Sequence, residues 1–130
     1  PYQIREYYGD PAGMQAQGQS GLGDIEVFRM NGINVRSIRD KVSRNIASGI
    51  THVRGFMENA NGNRYLHLDN KCIGLAEDLE NYRYPEALEG KDLKTEPLKD
   101  GYHDHGCDML RYFFINQFPI KQRELIMRSR

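Results

Sequence analysis

The most constraining stretch of this sequence is Tyr102-His103-Asp104-His105-Gly106-Cys107-Asp108-Met109-Leu110-Arg111-Tyr112, which continues directly into Phe113-Phe114-Ile115. Ionisable groups beside an apolar run cost free energy to bury unless they are paired or bind metal. As a helix, the stretch places His105, Asp108 and Tyr112 on one face, at i, i+3 and i+7. Met109, Phe113 and Asn116 line a neighbouring stripe, and Cys107, Leu110 and Phe114 another. A helix apolar on so many sides is predicted to be buried. Its first turn then presents a histidine and a carboxylate at the edge of a core, the expected position of a catalytic metal site.

A chain of 130 residues is long enough for one domain with a modest core. The 18 basic and 18 acidic residues balance, so any polyanion site has to be a local patch. Cys72 and Cys107 stand in no paired spacing and read as free thiols of a reducing compartment. No apolar run approaches the roughly 20 residues of a membrane span, and Pro1-Tyr2-Gln3-Ile4 does not read as a signal peptide. No membrane association is expected. Starting on proline rather than methionine, the chain reads as a piece of something longer.

Strands and helices are expected to alternate. Residues 2–8 are rich in β-formers and stop at Gly9-Asp10-Pro11-Ala12-Gly13, which puts Asp10 at a strand's C-terminal edge, where α/β sheets hold ligands. Residues 13–23 read as a mobile loop. Residues 24–30 read as a short helix capped by Ser20 or Asp24 and stopped by Asn31-Gly32. A second strand is expected at 33–38. Val42, Ile46, Ile50, Val53 and Met57 then repeat with helical spacing, and Ser37 with Asp40 resembles a capping box. A turn at 59–63, a third strand at 64–68 and a helix at 73–80 follow, the helix stopping before Pro85. Residues 86–100 read as a charged loop. The organising helix is expected to end near Phe118-Pro119, leaving a basic tail.

Gly9-Asp10-Pro11-Ala12-Gly13, the Asp24-Ile25-Glu26-Val27-Phe28 and Asn31-Gly32-Ile33 run, Pro97-Leu98-Lys99, and Asp104-His105-Gly106-Cys107-Asp108-Met109-Leu110-Arg111-Tyr112 occur in this order. Together they resemble the C-terminal nuclease domain of the large terminase subunit of tailed bacteriophages, the DNA-packaging motor protein. The resemblance implies an α/β, ribonuclease H-like mixed sheet flanked by helices, here only its later strands and helices. Residues 1–118 would form the partial nuclease domain and 119–130 the basic tail. It implies a metal-dependent endonuclease that cuts concatemeric double-stranded viral DNA with two Mg²⁺ or Mn²⁺ ions. Implied partners are duplex DNA, the phage portal and the small terminase subunit, in the cytoplasm of a bacterial host.

Residue by residue, the resemblance makes Asp10 the second metal-binding carboxylate, Asp108 the third, and His105 the histidine one turn before it. The first carboxylate would lie on a strand before Pro1, so the isolated chain is expected to be weakly active or inactive. An exposed sheet edge beside residues 2–8 is expected to favour self-association. Met109 departs from the small residue usual in that helix. No Gly-x-x-x-x-Gly-Lys-Ser/Thr phosphate loop is present, so the motor's ATPase module is not expected here.

The residue types suit the chemistry independently. Two-metal phosphodiester hydrolysis needs oxygen ligands holding ions roughly 3.5–4 Å apart, and Mg²⁺ takes only one or two carboxylates per ion. His105 is placed to complete a shell, orient a water or protonate a leaving group. Arg36, Arg39, Lys41, Arg44 and Arg54 form a basic face opposed by Asp40 alone, and the first four with Lys99 are the candidate phosphate contacts. Plainer readings stand beside these. Asp10 can be a turn former, Asp108 a favourable charge near a helix N-terminus and Asp104 its cap. His103-x-His105-x-Cys107 suggests zinc only on a strand. His52 reads as structural, His67 as a strand-edge residue and Cys72 as core. A non-catalytic DNA- or portal-docking module, and another ribonuclease H-like nuclease such as a resolvase, remain the alternatives.

Overall fold

The computed structural model describes residues 3–16, 21–38, 43–86 and 96–120. β1 (Tyr7–Tyr8) and β2 (Val35–Arg36) pair in parallel, Tyr7 opposite Val35 and Tyr8 opposite Arg36. The Gly9 N–H extends the ladder by donating to the Arg36 carbonyl at 2.9 Å. Between the strands lie a single 3-10 turn at Pro11–Met14 and helix α1 (Asp24–Met30). Helices α2 (Ile46–Met57), α3 (Ile73–Asn81) and α4 (Asp104–Gln117) follow. The architecture is α/β, with a two-stranded parallel sheet among the described residues rather than the larger mixed sheet expected.

Both strands are shorter than predicted because residues 3–6 and 37–38 have no ladder partner among the described residues. The predicted strand at 64–68 does not form. There the Phe56 carbonyl accepts from both the Tyr65 and Leu66 N–H groups at 2.8 Å, and no strand lies alongside among the described residues. The apolar alternation that suggested a strand instead turns Leu66 toward the core and leaves Tyr65 and Leu68 exposed.

The N-terminal part packs on Ile25, the buried residue of α1. Gly9 and Gly13 allow the Gly-Asp-Pro-Ala-Gly turn to lie close over it. A Cβ on Gly9 would stand 2.8 Å from Val35 Cγ1, and one on Gly13 3.2 Å from Ile25 Cγ1. α1 begins after Gly23 without a side-chain cap, so Asp24 is its first residue rather than the cap; Ser20 lies outside the described residues. Gly13 and Met14, the start of the expected mobile loop, belong to the 3-10 turn Pro11–Met14.

The helical part holds the main core: Val53, Leu110 and Phe114, flanked by Phe56, Met57, Leu66, Leu75 and Leu79. Phe114 lies 4.6 Å from Phe56 and 5.8 Å from Phe118, centroid to centroid. Ile115 is fully buried. Each such side chain stabilises the fold by about 1.5–3 kcal/mol. The predicted stripe of α2 is realised, but the helix starts later than the Ser37–Asp40 box. Asn45 caps it, its side chain accepting from the Ser48 N–H at 2.9 Å. Asp40 and Val42 lie outside the described residues, as do 87–95 and 121–130.

α4 is not buried on every side, because Met109 and Phe113 are exposed. Phe113 meets the Tyr8 ring edge-on at 5.8 Å, and the Tyr8 hydroxyl bonds both Gln117 and Glu6. These contacts fasten β1 to α4. Among the described residues, no helix is long and apolar enough to cross a membrane.

Candidate functional site

Asp10 comes one residue after the end of the Tyr7–Tyr8, Gly9 ladder, so the sheet fixes its backbone. Its Oδ1 accepts from the Ala12 N–H at 2.8 Å and caps the 3-10 turn. The turn-forming role is therefore real. The same side chain lines an open cleft of about 280 Å³ together with His105, Asp108, Tyr8, Gly9, Met109 and Tyr112. The face of α4 predicted from spacing, His105 with Asp108 and Tyr112, is the face that meets Asp10.

Asp108 is held tightly. Its Oδ1 accepts from Arg111 Nη2 at 2.7 Å and, more weakly, from Nε at 3.3 Å. Lys99 Nζ stands 3.8 Å from Oδ2. Arg111 is buried although charged, and stacks 4.6 Å over the Tyr112 ring. Burial pulls the Arg111 pKa down, but the hydrogen bond and negative charge of Asp108 outweigh it and leave the pKa raised. Tyr112 is pushed up to about 12, chiefly by burial; the charges of Asp108 and Asp10 and a hydrogen bond with Asp10 add to this against Arg111. Its hydroxyl stays protonated at neutral pH, in the cleft that both carboxylates line.

A second opening lies alongside, lined by Asp10, Arg44, Asn45, Lys99, Arg111 and Tyr112 among others. It brings two of the predicted phosphate contacts, Arg44 and Lys99, beside the capped N-terminus of α2. Arg36 is not part of this group. It lines neither opening, and its guanidinium pairs with Glu6, just before β1, at 2.9 Å. Arg39 and Lys41 lie outside the described residues.

The zinc alternative loses its geometry on a helix. His103 Nδ1 bonds Asp100 at 2.7 Å, His105 faces the cleft, and Cys107 is buried. Burial, followed by the charges of Asp78, Asp108 and Asp104, pushes the Cys107 thiol up to about 11. Asp104 is not the cap of α4. It is the first helical residue, buried, with Oδ1 lacking a hydrogen-bond partner. Asp100 prepares the helix instead, accepting from the Tyr102 and His103 N–H groups at 2.9 and 2.8 Å. Its carboxyl is held well below the usual range, first by His103 and then by those two N–H groups. His52 is structural as expected, its Nε2 lying 2.6 Å from the Phe118 carbonyl. Cys72 is exposed, not core, and sits just before α3.

The donor set suits a hard, hydrated divalent ion: two carboxylates and a histidine from two separate parts of the fold. Among the described residues, no group of three or more His, Cys, Asp or Glu side chains is positioned to hold a metal. Asp10, Asp108 and His105, which line the same cleft, are the residues that could hold a metal.

Sequence reasoning gave no role to Arg111. The Asp-x-x-Arg spacing in an otherwise apolar helix was the available signal, since such a charge can be buried only against its i–3 carboxylate. Comparisons with protein-family models, with curated proteins and with solved structures found no match.

Proposed function

We propose that this chain carries a metal-dependent phosphodiesterase site for double-stranded DNA, as part of a ribonuclease H-like terminase nuclease domain. One observation supports this above the others: Asp10 and Asp108, almost a hundred residues apart in sequence, line one cleft with His105. A divalent ion bound there would activate water and stabilise the leaving oxygen. Around it, the chain's own groups have defined parts. Asp10 and Asp108 supply anionic oxygens, and Tyr112 lines the cleft beside them. His105, exposed at the cleft, is available for proton transfer. Arg44 and Lys99 offer charge to backbone phosphates without reading bases. The portal and small terminase subunit are proposed as partners on the resemblance alone.

A second reading has its own support. Both carboxylates are already engaged, Asp10 by its turn and Asp108 by Arg111 and Lys99, as carboxylates of a non-catalytic docking module would be. Plasmid nicking in Mn²⁺ separates the two. The nuclease reading expects weak cleavage that Asp108→Asn abolishes while duplex binding persists. Cleavage unaffected by that substitution rejects it, and duplex binding with no Mn²⁺-dependent cleavage under any condition favours the docking module.

A further inference from the structure

Gly49 sits inside α2, where glycine is less favourable than alanine by roughly 0.5–1 kcal/mol. Two other helical glycines, Gly55 in α2 and Gly74 in α3, have open space where a Cβ would be. Gly49 does not. A Cβ there would stand 2.7 Å from Arg111 Cδ and 2.9 Å from Cγ. Those atoms belong to the middle of the side chain, which is tethered beyond them to Asp108 and Tyr112, so it has little room to yield. Both close donors of the guanidinium converge on Asp108 Oδ1. Among the described residues, Oδ2 has only the exposed Lys99 near it, beyond hydrogen-bond distance at 3.8 Å.

Resting on the metal reading above, we propose that Arg111 is a positioning residue that turns Asp108 so that Oδ2 is the ion-facing oxygen, and that Gly49 is the socket that fixes Arg111. The guanidinium takes one oxygen and locks the rotamer, leaving the other for a cation. A planar fork performs this better than an ammonium because it bonds through two nitrogens at once. Fixing a ligating carboxylate in this way is worth about 10–100-fold in metal affinity in known sites.

Gly49→Ala tests the socket without altering any charge, and Gly55→Ala controls for the helix-propensity gain. Mn²⁺ affinity of the full chain is read from the free-ion electron paramagnetic resonance signal, and the Arg111 Nε–H resonance is followed by NMR without metal. The expected result is about tenfold weaker Mn²⁺ binding and a shifted, faster-exchanging Nε–H in Gly49→Ala, with neither change in Gly55→Ala. Arg111→Lys should weaken Mn²⁺ binding in the same direction, and it carries the test if Gly49→Ala does not fold. An unchanged Nε–H and unchanged Mn²⁺ affinity in folded Gly49→Ala, or full affinity in Arg111→Lys, overturns the proposal. Mn²⁺ binding that Asp108→Asn leaves intact, or no binding by the unsubstituted chain, instead defeats the metal reading. The Nε–H signal then still decides whether Gly49 holds Arg111.

Discussion

The two parts of the molecule are built to different standards. The layer of α2, α3 and α4 surrounds an aromatic and aliphatic core of Val53, Leu110 and Phe114, tightened by Phe56 and Phe118. The part made of β1, β2, the 3-10 turn and α1 has Ile25 as its buried apolar side chain among the described residues, and leaves Val27, Phe28 and Met30 largely exposed. Asp108 and His105 belong to the first and Asp10 to the second. The cleft therefore lies on a boundary between a firm support and a thin one. Its geometry depends on Tyr8, whose ring and hydroxyl hold β1 against α4. Local stability should follow this division, since regions with few buried apolar contacts open first.

The largest expected effect comes from the firm side. Phe114→Ala should cost about 3–5 kcal/mol and shift the whole denaturation curve. Ile25→Ala should instead open the β1–α1 region, seen as faster amide exchange there, while α4 keeps its protection. Equal loss of protection in both regions would mean that they form a single cooperative unit.

Alkaline titration sharpens the same contrast. Cys107 is raised from 9.0 to about 11, and Tyr82 and Tyr112 from 10.0 to about 12, burial being the first cause in each case. These groups ionise in the unfolded chain before they do so in the folded one. Their stabilisation is thus present below about pH 9 and is lost as pH rises toward 12. Stability should fall across that window, and Cys107→Ala should flatten its lower part. An unchanged profile would argue that the thiol is not buried in solution.

Smaller effects are local. Asn45→Ala removes the cap of α2 and should cost about 1 kcal/mol. Lys99→Ala should tighten Mn²⁺ binding modestly by removing a competing charge, exposed on the Lys99 side and worth about 0.2–1 kcal/mol, from Asp108, while weakening duplex binding. A change of the same sign in both would contradict the dual placement of Lys99.

Helices were more legible than strands in this sequence. α1 falls on its predicted residues, and α3 and α4 nearly so, because helical periodicity and stop signals are local. Strands depend on partners elsewhere in the chain. Residues 64–68 had the right residues but no neighbouring strand among the described residues, so Leu66 became a core contact instead. The site was legible where it followed one helix face, as with His105, Asp108 and Tyr112. It was illegible where it depended on packing between helices. Nothing local to Arg111 announces Gly49, and nothing local to Arg36 announces Glu6.

The central claim is that Asp10 and Asp108 act on one ion across the boundary. A double-mutant cycle in Mn²⁺ affinity with Asp10→Asn, Asp108→Asn and the pair tests it directly. If both carboxylates hold the same ion, each single substitution should remove most of the affinity, and the double variant should be little worse than either. Additive losses, or an Asp10→Asn chain that binds Mn²⁺ as tightly as the unsubstituted protein, would show that the two carboxylates do not share an ion.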